Sequence, residues 1–78
     1  MDTNVIQHRI DRINFLLSRL DCIPRELDNI HEELFTPGLH RKRFTDLVTR
    51  RQNLLTEQEN KERELTEVYR IIDSEEDF

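Results

Sequence analysis

Three groups of side chains in this chain of 78 residues have types and spacings that support chemistry. His31-Glu32-Glu33 begins like the helical HExxH zinc motif, in which two histidines hold the metal and the glutamate activates water. Position 35 is Phe, so the second ligand is missing and no metal site is expected. Asp28 and His31 have the i, i+3 spacing used in carboxylate-bridged di-iron bundles. No second motif of this kind is evident, so His31 is read as a solvated or edge residue. The lone Cys22 stands just before Pro24, where a helix restart would lend a thiol reactivity. An inert thiol packed beside the core is the preferred reading. The third group is basic: His40-Arg41-Lys42-Arg43, then Arg50 and Arg51. Arg43 and Arg50 are seven apart and share a helix face, as a phosphate-binding stripe requires. Glu26, Glu32 and Glu33 lie across the expected turn and can neutralise these cations. Nowhere do an acid, a base and an orienting group converge, so no catalytic residue, enzyme activity or cofactor is expected.

Composition narrows the class further. One Gly is too few for a nucleotide-binding α/β fold, and one Cys excludes a disulfide scaffold. No apolar run reaches the ~18 residues of a membrane span. Leu, Ile, Val and Phe make up 24 of 78 residues, enough to reject disorder. A chain this short buries only ~60% of its unfolded surface, so oligomerisation or a partner is the expected support. The net charge of −5 argues against nucleic acid as the main partner. That charge is unevenly spread: residues 36–51 carry five basic and one acidic side chain, and residues 52–78 carry three and nine. The lone Cys and the absence of a basic, apolar leader at the N-terminus lead to a cytoplasmic expectation.

The elements that must position these residues are helices. Ile6, Ile10, Ile13, Leu17 and Leu20 are spaced 4, 3, 4, 3, a heptad stripe. Asn4 is the expected N-cap, with Gln7 as its capping-box partner. After Leu20 the stripe continues as Ile23, Leu27, Ile30 and Leu34, and the two successive threes make a stammer. Pro24 sits at the slip, and a kink or brief break is expected there. Thr36-Pro37-Gly38 contains the chain's single Gly and is the expected turn. The organisation expected is one helical domain over 1–78: a first arm at 4–35, the turn at 36–38, a second long helix at 39–73, and a frayed acidic tail at 74–78. On that helix, Glu57/Lys61 and Glu59/Arg63 are i, i+4 pairs in the favourable order. Arg at its start and acids at its end both oppose the helix dipole, which suggests that these charges serve a partner.

This layout contains a conflict. With the turn at residue 37, residue i faces residue 74 − i. Leu27 then meets Leu47 and Leu20 meets Leu54, as a core requires. Ile10, Ile13 and Leu17, however, meet the region 57–64, which has no apolar residue. Phe15 and Leu16 widen the apolar surface. A lone hairpin would leave these five side chains partly exposed, forgoing on the order of 10 kcal/mol at the upper bound. One resolution folds the first arm back at Pro24 into a three-helix arrangement. The other, preferred because the polar centre of the second helix offers no core, presents the first arm to another chain in a helical bundle.

The segment Arg9-Ile10-Asp11-Arg12-Ile13-Asn14-Phe15-Leu16-Leu17 resembles the first helix of the all-helical chorismate mutases. That family's site needs a lysine and further polar groups on later elements. Lys42 and Lys61 lack the matching context, so the activity is not carried over. In length, hairpin layout and acidity the chain is similar to the small helical-hairpin co-chaperones of type III secretion needle subunits. The reading is thus all-α, an antiparallel, coiled-coil-like helical hairpin. Its expected role is non-catalytic protein–protein interaction, as an adaptor, co-chaperone or inhibitor. It would bind a protein partner or itself through Ile6, Ile10, Ile13, Phe15, Leu16, Leu17 and Leu20. The alternative is nucleic-acid association through Arg41, Lys42, Arg43, Arg50 and Arg51. No metal and no membrane are expected.

Overall fold

The computed structural model describes residues 3–76. Two helices fill it, α1 over Thr3–Leu34 and α2 over Arg41–Glu76. They pack against each other as an antiparallel helical hairpin with extents of 61 × 17 × 15 Å, and no strand occurs among the described residues.

α1 runs through Pro24 without interruption. Of the kink or break expected there, the break does not occur, and the described residues form two helices rather than three. A proline inside a helix removes one backbone hydrogen bond and costs about 3 kcal/mol. Ile23 and Leu27 flank it and are buried, at 0% and 9% exposure, so packing on α2 offsets that cost. Asn4 lies within α1, Thr3–Leu34, rather than at a cap preceding it. Gln7 donates to Asp11 Oδ1 at 2.9 Å.

α2 has a cap of its own that the sequence reading missed. The His40 Nδ1 accepts the Lys42 N–H at 3.2 Å, and the His40 carbonyl accepts the Phe44 N–H at 2.9 Å. A side-chain acceptor at this position satisfies an amide that the first helical turn leaves unpaired. α2 continues through Ser74 to Glu76, beyond its expected end at Asp73. Asp77 and Phe78, the rest of the expected tail, lie outside the described residues.

The turn contains Thr36-Pro37-Gly38. At its start the Thr36 N–H bonds the Glu33 carbonyl at 3.0 Å. Gly38 adopts φ = 74°, a left-handed conformation that only a residue without Cβ takes readily. The core lies next to this turn: Ile23, Leu27 and Ile30 of α1 meet Leu47 and Leu54 of α2, with Leu34, Leu39 and Leu55 packed around them. The register is displaced from the expected one. Arg12 faces Glu64, Arg19 faces Glu57 and Glu33 faces Arg43, so facing residue numbers add to 76 rather than 74. The hairpin therefore pivots on Gly38, one residue beyond Pro37.

Candidate interaction surface

The hairpin has two unlike sides. One is a ladder of charges. α1 carries Arg12, Arg19, Glu26 and Glu33 at seven-residue intervals; α2 carries Arg43, Arg50, Glu57 and Glu64 at the same interval. Each helix thus reads Arg, Arg, Glu, Glu, and the antiparallel register sets every Arg level with a Glu. Arg12 grips Glu64 with two hydrogen bonds, of 2.9 and 2.8 Å. Arg19 does the same to Glu57, with its second bond at 2.8 Å. Arg43 does so to Glu33, again with a second bond of 2.8 Å. Glu26 and Arg50 line one shallow crevice beside the core. Glu26 also approaches Arg19 at 3.2 Å. That contact is electrostatic rather than directional, because the shielded Glu26 oxygen lies outside hydrogen-bond geometry.

These bonds set the titration of the carboxylates. Arg19, then Lys61, hold Glu57 down to about 2 against a smaller opposing push from burial. Arg43 holds Glu33 below the usual carboxylate range, and Arg12 does the same to Glu64. Perturbed carboxylates often mark catalytic sites. Here each is bound by an arginine of the opposite helix, so the perturbation is structural. The expected pairs Glu57–Lys61 and Glu59–Arg63 are also formed, at 3.3 and 3.0 Å.

The ladder resolves the conflict posed by the polar stretch 57–64. The seam of α1 that faces it is not the heptad stripe but Arg12, Leu16 and Arg19. Leu16 is wholly buried at 0% exposure, a correction to the expectation that it would stay open. Glu57, Arg19 and Lys61 keep only 26%, 30% and 22% of their side chains exposed. Long charged side chains bury their stems in this way while their heads reach water. Phe15 also belongs to this side, with Arg12 and Lys61 cations 5.1 and 5.8 Å from its ring centre.

The opposite side is apolar. At ~100° per residue, positions 6, 10, 13, 17 and 20 centre about 90° away from positions 23, 27, 30 and 34. The stammer is therefore a change of partner. Beyond it the stripe packs on α2; before it the stripe turns aside. Ile6, Ile10 and Leu17 are exposed, and Ile13 and Leu20 are half-buried. α2 carries a matching flank of Phe44, Val48 and Leu55, of which Phe44 and Val48 are exposed. One hydrogen bond shows that both stripes lie on the same side. His31 is in heptad phase with Ile10 and Leu17, and Arg51 lies between Val48 and Leu55. Arg51 Nε donates to His31 Nε2 at 3.1 Å. His31 is thus engaged at the seam and not merely solvated. Phe35, 87% exposed, ends the apolar side at the turn.

Of the seven residues expected at the interface, five lie on one face; Leu16 and Phe15 do not. Phe44, Val48 and Leu55 were missed, although their 4, 7 spacing was present in the sequence. The five basic residues are not brought together either. Arg43 is bound to Glu33 on the charged side and Arg51 to His31 on the other. Cys22 is exposed, not packed beside the core, because the core follows Ile23 and Leu27 instead. No set of three or more His, Cys, Asp or Glu side chains among the described residues could hold a metal ion. No helix among them is long and apolar enough to cross a membrane. No protein-family model, curated protein or solved structure matches this chain.

Proposed function

We propose that this chain is a non-catalytic helical docking module whose apolar side is its contact surface. The observation that carries this reading is the division of the hairpin into two sides. The charged side satisfies itself through ion pairs between its own helices. The apolar side leaves Ile6, Ile10, Leu17, Phe44 and Val48 between 43% and 50% exposed. Completing the burial of each contributes on the order of 1 kcal/mol, and contiguous exposed apolar surface of this kind marks interaction sites. The reading includes a reducing, cytoplasmic setting, supported by the single exposed Cys22.

The test compares Leu17→Glu with Phe15→Glu, by association and by binding of an environment-sensitive apolar dye. Leu17→Glu is expected to abolish both with far-UV circular dichroism unchanged. Phe15→Glu, on the charged side, is expected to leave both intact. If Leu17→Glu matches the parent chain in association and dye binding, the reading is wrong.

A further inference from the structure

Two measures of shape show how much surface is left uncovered. The accessible surface is 6270 Å², whereas a compact monomer of 9.5 kDa exposes about 5,000 Å². The radius of gyration is 17.8 Å, against about 11.5 Å for a compact chain of this length. The excess surface, about 1,200 Å², exceeds the ~800 Å² per partner that a stable interface buries.

The apolar part of the surface has a particular arrangement. The α1 stripe, residues 6–20, occupies the open end of the hairpin. The α2 flank, residues 44–55, occupies the turn end on the other helix. Together they form a diagonal band with few charged residues along it. A two-fold axis crossing the middle of the band exchanges its ends. Such an operation places like surface on like surface, as isologous dimers do.

We propose that the occupant of the apolar side is a second copy of this chain, related by that axis, so that the α1 stripe of each copy lies on the α2 flank of the other. This rests on the docking reading and adds its partner. The product is a four-helix bundle in which the two hairpins run antiparallel and cross. Ile10 of one copy lies over Val48 of the other, and Leu17 over Leu55. The charged ladders lie on the two outer faces, where Arg12–Glu64, Arg19–Glu57 and Arg43–Glu33 are paired within each copy.

The experiment measures the mass of the full chain by sedimentation equilibrium over a series of concentrations. The parent chain is expected at twice 9.5 kDa. Ile10→Lys and Val48→Glu alone are each expected at the single mass with helix content retained, and mixing the two is expected to restore the double mass. The mixture also controls for folding, because a variant that cannot fold cannot be rescued by its complement. Loss of the dimer in Ile10→Lys but not in Val48→Glu would overturn the crossed arrangement. A parent chain that stays at the single mass throughout would overturn the second copy as occupant. In that case, dye binding that Leu17→Glu abolishes would leave the docking reading standing with a different partner; no dye binding would end both.

Discussion

Leu16 and Leu17 are adjacent in the chain and have opposite surroundings. Leu16 is wholly buried, while Leu17 is 45% exposed on the other side. One residue is ~100° of helix, so a heptad pattern alone does not say which neighbour is the seam. Glu57 shows how tightly the polar cover is held. Its carboxyl sits at about 2 rather than the ordinary 4.5, chiefly through the Arg19 hydrogen bonds. A carboxylate lowered by folding contributes stability above its unfolded pKa and loses it as pH falls through the folded value. The thermal midpoint should therefore decline between about pH 5 and pH 2, with Glu33 and Glu64 acting in the same direction. Glu57→Gln should cost about 1 kcal/mol at neutral pH, since solvent screens a partly exposed pair. It should also flatten that decline; an unchanged acid profile would show that the Arg19–Glu57 pair carries no folding free energy.

At the scale of the elements, the order of charge along each helix decides how the two can pair. Of these charges, Glu33 in the last turn of α1 and Arg43 in the first turn of α2 oppose the helix dipole, at a few tenths of a kcal/mol each. In the antiparallel hairpin each Arg of the ladder is level with a Glu, and three of the four pairs are bonded. In a parallel pair Arg would meet Arg, so the same pattern disfavours the alternative. For Arg43 the opposite charge comes from Glu33, on the other arm of the chain. The turn that permits this pairing depends on Gly38. No atom lies within 4 Å of the place a Cβ would occupy, so the cost of Gly38→Ala comes from the backbone alone, at φ = 74°. That substitution should destabilise the hairpin by about 1 kcal/mol, read as a lower urea midpoint with an unchanged slope. A midpoint equal to the parent's would show that the turn relaxes out of the left-handed conformation. The hairpin, its turn and the two long helices were legible beforehand, because the single Gly and the 3–4 spacing act locally. The register was not: it moved by two residues because the pivot is Gly38 rather than Pro37.

At the scale of the whole molecule, an elongated hairpin and a compact three-helix fold differ most in size. A monomeric Leu17→Glu chain should keep a radius of gyration near the 17.8 Å of the hairpin in small-angle scattering. A value close to 11.5 Å, about that of a compact chain of this length, would mean that α1 folds back at Pro24 after all. The sequence by itself determined that this chain is helical, that it turns once, that it builds a small core beside the turn, and that residues 6–20 carry an apolar stripe. Those properties follow from periodicity and from one glycine, which act within a few residues. Only the tertiary structure decided which residues of that stripe remain open. The outcome depends on the angle at which one helix meets the other. The charges on the two arms match across a register that no single helix contains.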